Sequence, residues 1–198
     1  ALAGDRPEGR SRSVLFVTDG QAHDEAALIA AIANRRQGAR FFTLGIDTAV
    51  NGALLKRMAR VGGGTCELVT PRDDIEEALA NLEARFGNPV LDGVEVDGLQ
   101  AARLTKQAVF TGRPATLLLE GAPSTLTVRG VGPTGPVAYP VQTTSTTFGL
   151  GALWARERIA ALQDRLLVKP FEEEALRPEI VRIALEHGIA SRFTAFVA

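Results

Sequence analysis

Few side chains in this sequence are of a type and spacing suited to chemistry. Asp19 leads them, in Thr18-Asp19-Gly20 after the apolar run Val14-Leu15-Phe16-Val17. A carboxylate and a hydroxyl on a Gly turn, at the end of a buried strand, suit a hard cation such as Mg²⁺, which takes oxygen ligands. The same residues suit a plain turn or a helix cap, and one Asp does not separate the two readings. His23, close to Asp19, Asp24 and Glu25, reads as part of a helix start, with metal ligation the lesser alternative. His187 falls in the last turn of a predicted helix, where a cation complements the dipole. Cys66 lies inside an apolar run with no His beside it in sequence, so it reads as a small buried hydrophobe rather than a nucleophile. Gly62-Gly63-Gly64 follows a predicted helix and precedes a strand, the reverse of a phosphate-cradling loop, and reads as a helix stop and turn. Trp154, Arg156 and Arg158 read as a helix whose Trp packs on a neighbouring β-sandwich while both Arg residues stay solvated.

The elements around these residues follow from periodicity. Ser13–Val17, Arg40–Ile46 and Thr65–Val69 are short apolar runs and read as buried strands. Between them, 25–36 and 51–61 have helical spacing, with Asn51 as N-cap and Gly38 and Gly62 as stops. A third helix is predicted over 74–86, capped by Asp73, with Ile75, Leu79, Leu82 and Phe86 on its apolar face. This alternation describes a parallel α/β sheet, with Asp19 at the strand-end edge where such sheets place ligands. Residues 1–12 read as a helix remnant and a loop.

After Asn88-Pro89 the pattern changes to short extended runs at 90–96, 115–120, 124–129 and 136–141, predicting antiparallel strands in a sandwich-like unit. Thr143–Thr147 reads as a strand end and loop. Helical spacing returns over 152–167 and 177–187, with Glu172–Glu174 as a solvated acidic run, and Arg192–Val197 reads as a final strand pairing with an earlier sheet. The predicted organisation is 1–87, 88–149 and 150–198: a partial Rossmann-like parallel sheet, a small β-rich domain, then helices with a last strand.

The chain has 198 residues, 45% of them hydrophobic, and a formal net charge of −1 from 22 Lys+Arg and 23 Asp+Glu. These charges nearly cancel and are interspersed, which argues against nucleic acid or an anionic lipid surface as partner. No apolar run reaches the roughly 20 residues that span a bilayer. A single Cys excludes an internal disulfide.

The ordered set Val14-Leu15-Phe16-Val17-Thr18-Asp19-Gly20, Phe42-Thr43-Leu44-Gly45-Ile46 and Met58-Ala59-Arg60-Val61-Gly62-Gly63-Gly64-Thr65 resembles the second half of a von Willebrand factor A domain. More narrowly, it resembles the inter-alpha-trypsin inhibitor heavy chain type found in bacterial VIT/VWA-like proteins. Pro89-Val90-Leu91, Phe110-Thr111-Gly112-Arg113, Leu153–Ile159 and Thr194–Ala198 are similar to the segments that follow the domain there. The resemblance implies a metal-ion-dependent adhesion site (MIDAS) built from an Asp-x-Ser-x-Ser motif, a loop Thr and the Asp of the Thr-Asp-Gly turn. Only Asp19 matches; the other corners would lie upstream of Ala1. It therefore implies a non-enzymatic, secreted or otherwise extracytoplasmic interaction and cell-adhesion module. Its complete form holds Mg²⁺ and receives an acidic side chain of a protein ligand, while this segment alone holds no metal and is prone to self-association. The rivals are a metal-assisted α/β hydrolase using Asp19 and His23, and a ligand-free scaffold.

Overall fold

A computed structural model describes residues 12–35, 38–70, 72–73, 75–86, 89–102, 107–111, 114–121, 123–144 and 149–196, without the side chains of 35, 81–82, 84–86 and 107. The expectations for 1–11, most of Thr143–Thr147, Gly112-Arg113, and Val197 and Ala198 lie outside the described residues. The chain divides into two units, one of residues 1–90 with 108–114 and the other of 91–107 with 115–198.

In the first unit, β1 (Ser13–Thr18), β2 (Arg40–Ile46) and β3 (Gly63–Val69) form a parallel sheet in the order β1-β2-β3. Phe41, Phe42, Thr43 and Leu44 in the middle strand are buried, as expected of a strand covered on both faces. β1, at one end of the sheet, is only half-buried, and Val17 is 55% exposed. Helices α1 (Glu25–Arg35) and α2 (Gly52–Gly62) connect the strands, and α2 buries Leu54, Leu55, Met58 and Ala59.

The three glycines at the end of α2 serve three different needs. Gly62, expected to stop the helix, is instead its last residue; a Cβ there would lie 2.4 Å from Phe41 Cβ. The stop is Gly63, whose φ of 72° allows its N–H to reach the carbonyls of Ala59 and Arg60. A Cβ on Gly64 would lie 2.2 Å from the Phe41 carbonyl oxygen, so β3 comes this close to β2 only without a side chain.

Helix α3 (Ile75–Phe86) differs from expectation in its start and its face. Asp73 does not serve as its cap: its Oδ2 accepts from Thr70 N at 2.7 Å and Thr70 Oγ1 at 2.8 Å, closing a turn ahead of the helix. Ala78 packs against Leu44 and Val69 of the sheet, while Ile75 and Leu79 remain 44% and 45% exposed. A small residue lets the helix approach the sheet, and these two larger side chains are left outward.

The second unit holds β4 (Leu91–Val96), β5 (Gln100–Ala101), β7 (Leu119–Glu120), β8 (Thr125–Gly132) and β9 (Gly135–Gln142), while β6 (Gln107–Val109) falls on the boundary between the units. Within the second unit β4-β8-β9 run in this order in one sheet and β5-β7 form another, with β4-β8, β8-β9 and β5-β7 antiparallel. Of the strand expected over 115–120, Leu119–Glu120 is regular strand, and just before it the Leu118 carbonyl accepts from Ala102 N at 2.8 Å. In the register Pro136↔Val131 to Gln142↔Thr125, continued by Thr143 N donating to Ser124 O, the odd residues of β9 bond to β8. The even ones turn their amide positions outward, and two of these are Pro136 and Pro140.

Helices α4 (Gly151–Val168) and α5 (Glu173–Glu186) form a hairpin through a 3₁₀ turn, Pro170–Glu172. Its core is Trp154, Ala155, Ile159, Leu162, Leu166, Ile180, Ile183 and Ala184, with Ala102. The acidic run Glu172–Glu174 leads into α5, Glu173 and Glu174 forming its first turn and complementing the dipole. The helix expected over 177–187 thus begins at Glu173, which puts Pro178 inside it. The final strand is also corrected. Ser191 bridges Thr194 in a tight turn, and Phe193 packs against the helical core under the guanidiniums of Arg177 and Arg192, 5.3 and 5.6 Å from its ring centre. Local hydroxyl bonds, Ser191 N to Thr194 Oγ1 and Phe193 N to Ser191 Oγ, satisfy the backbone that a strand would have offered to a sheet.

Candidate functional site

Asp19 stands exposed where β1 ends, at the edge of the parallel sheet. Its Oδ1 accepts from Gln21 N at 3.0 Å and Thr18 Oγ1 at 3.3 Å, while Thr18 Oγ1 accepts from Gly20 N at 3.1 Å. This is an Asx turn, and Gly20 completes it with φ 81°. The Asp19 carbonyl accepts from Asn51 N at 3.0 Å. Asn51 caps α2 as expected, Oδ1 accepting from Leu54 N at 3.2 Å, and its Nδ2 donates to Glu25 Oε1 at 2.9 Å. The loop after β1 and the first turns of α1 and α2 thus meet at one point.

His23 is exposed in the bend before α1 and makes no hydrogen bond or ion pair among the described residues. Asp24 caps that helix instead, Oδ1 accepting from Ala27 N at 2.9 Å. Among the described residues, no group of three or more His, Cys, Asp or Glu side chains is placed to hold a metal ion. One carboxylate and one neighbouring hydroxyl would leave most of an octahedral Mg²⁺ shell to water or to other residues, so these residues by themselves make one corner of such a site. What the corner offers is an exposed carboxylate on a rigid turn.

The remaining candidates are dispersed. Cys66 is half-buried, and burial pushes its thiol pKa up against the opposing effects of the Thr43 hydroxyl and Lys56, which keeps it a thiol. His187 follows α5, its ring 6.3 Å from that of Trp154. Arg156 is exposed as expected. Arg158 is not: it is 6% exposed, and its Nε and Nη2 donate to Glu179 Oε1 at 2.9 and 2.8 Å, tying α4 to α5. Only a Glu at helical spacing from the α5 core residue Ile183 hints at this pair.

The von Willebrand factor type A domain model matches residues 1–68. The chain is 26% identical over 204 residues to a von Willebrand factor A domain-containing protein of Dictyostelium discoideum, covering 93% of this chain and 10% of that protein. It is 28% identical over 205 residues to von Willebrand factor A domain-containing protein 5A of Homo sapiens, covering 93% of this chain and 26% of that protein. The chain thus spans about a quarter or less of these relatives. Among solved structures, the ArnB paralog VWA2 from Sulfolobus acidocaldarius superposes with a TM-score of 0.41 at 15% identity, covering 89% of this chain and 56% of that one. Domains of this type are in general protein-interaction modules. The first third of the chain is therefore matched to the von Willebrand factor type A domain, and nearly all of it is similar to proteins that carry one.

Proposed function

We propose that this chain is part of a non-enzymatic protein-interaction module of the inter-alpha-trypsin inhibitor heavy chain kind, acting outside the cytoplasm. Asp19 is one corner of a Mg²⁺-dependent adhesion site whose other ligands come from residues beyond the described ones. The reading rests on one observation, the exposed Asp19 turn at the strand-end edge of a parallel sheet within the segment matched to the von Willebrand factor type A domain. Held in a completed site, Mg²⁺ would offer an open coordination position to an acidic side chain of a protein partner. The chain's own contribution is to hold the carboxylate still.

The test has two arms. Calorimetric titration of this chain with Mg²⁺ is expected to show no micromolar affinity. In the longer parent protein, partner binding is expected to be lost on chelation and on Asp19→Ala alike. Binding that survives both treatments would overturn the reading in favour of a scaffold.

A further inference from the structure

We propose that Asn51 is the positioning residue of the Asp19 corner, a latch that holds the Asp19 turn to the heads of α1 and α2 and carries a displacement of one to the others. Its significance for binding rests on the reading of Asp19 given above; the latch itself does not. The Asp19 turn, the head of α1 and the head of α2 converge on this one residue, the α1 contact reaching across 26 residues of sequence. Its N–H donates to the Asp19 carbonyl at 3.0 Å, its Nδ2 to Glu25 Oε1 at 2.9 Å, and its Oδ1 accepts from Leu54 N at 3.2 Å. The chemistry of the partners sets the amide's orientation, because a backbone N–H needs the oxygen and a carboxylate needs the NH₂.

Packing supports the same role. A Cβ on Gly20 would lie 3.1 to 3.2 Å from Asn51 Cβ, O and N, so the turn rests directly on Asn51. A cap alone does not require Asn, since Asp caps a helix equally well. Asp has no N–H for Glu25, however, and would set two carboxylates against each other. Asn supplies an acceptor for α2 and a donor for α1 from separate atoms of one short side chain. A ligand that shifts the main chain at Asp19 therefore pulls on the first turn of α2 and, through Glu25, on α1.

The test is hydrogen exchange by NMR at Gly20 and Gln21, whose amides report the turn, and at Leu54, which reports the cap, in the full chain. Asn51→Asp is expected to speed exchange at Gly20 and Gln21 by about fivefold to tenfold, the loss of one charge-assisted bond, with Leu54 still protected. Adding Glu25→Gln restores a bond of reversed polarity and is expected to return both amides to within about threefold of the parent chain. Glu25→Ala alone, which cuts the α1 arm and spares the cap, is expected to speed both amides, and it decides the matter should Asn51→Asp not fold. Unchanged exchange at Gly20 and Gln21 in either single variant, or no rescue in the double variant, would overturn the latch. Neither metal nor partner enters this measurement, so an inert Asp19 and a failed latch give different results.

Discussion

The Arg158–Glu179 pair yields an asymmetric prediction. Both side chains contribute to one contact, yet removing them should not cost the same. Arg158 has 8% of its side chain exposed and Glu179 has 30%. Glu179→Ala leaves a guanidinium inside the hairpin with no carboxylate. Rupture of a fully buried pair costs about 3–5 kcal/mol, and water reaching the partly open Glu side reduces this to about 2 kcal/mol. Arg158→Met keeps an apolar stem at a buried position, removes the charge that needed desolvating, and leaves a carboxylate that can turn to solvent; its cost is expected to stay within about 1 kcal/mol. The chain's single Trp, Trp154, is 7% exposed in this core, so its fluorescence follows the hairpin during urea unfolding. With m of about 2 kcal/mol/M, Glu179→Ala should lower the midpoint by about 1 M and Arg158→Met by less than about half of that. A larger drop for Arg158→Met than for Glu179→Ala would refute the reasoning.

Other expectations follow from the same kind of geometry. Gly63→Ala imposes a left-handed conformation and should cost about 1 kcal/mol, whereas Gly64→Ala forces β3 off the Phe41 carbonyl and should cost more; equal thermal shifts would contradict this. Thr70's backbone and hydroxyl bonds lower the Asp73 pKa, so their contribution is present above the unfolded value of about 3.9 and is lost as pH falls through the folded value. NMR titration should show that carboxyl titrating below an ordinary Asp, and Thr70→Ala should raise it. The raised Cys66 pKa should make its reaction with a disulfide reagent near pH 8 slower than that of a free thiol, and a normal rate would show the thiol to be open. With β1 ending the sheet and Val17 exposed, light scattering should show a mass rising above 21.0 kDa with concentration; a constant monomer mass would remove the case for association through that edge.

Local periodicity explains what could be read from residue types. The continuous apolar run of β2 could only be a strand covered on both sides, and Asn51 before Leu54-Leu55 could only be a helix start. The chemistry of the Asp19 turn was equally legible, because an Asx turn is made within three residues. The reading failed where packing decides. The Ile75/Leu79 stripe has the period of a buried face, yet Ala78 turns inward, since approach distance to the sheet is not written in hydrophobicity. Phe193 and Thr194 favour strands, but nearby hydroxyls satisfied their backbone first. Asn51's hold on Glu25 spans 26 residues, and no local pattern announces such a bond.

The prolines of β9 bear on how copies of the chain can add to one another. Outward amide donors in β9 remain at Ala138 and Gln142, so a strand arriving there finds half of the amide donors gone while the carbonyls stay, which weakens pairing at that edge. Copies that meet through β1 consume that margin in a two-fold pair. Growth by these two margins is then expected to end at pairs, with no ribbon of strands running from one molecule into the next.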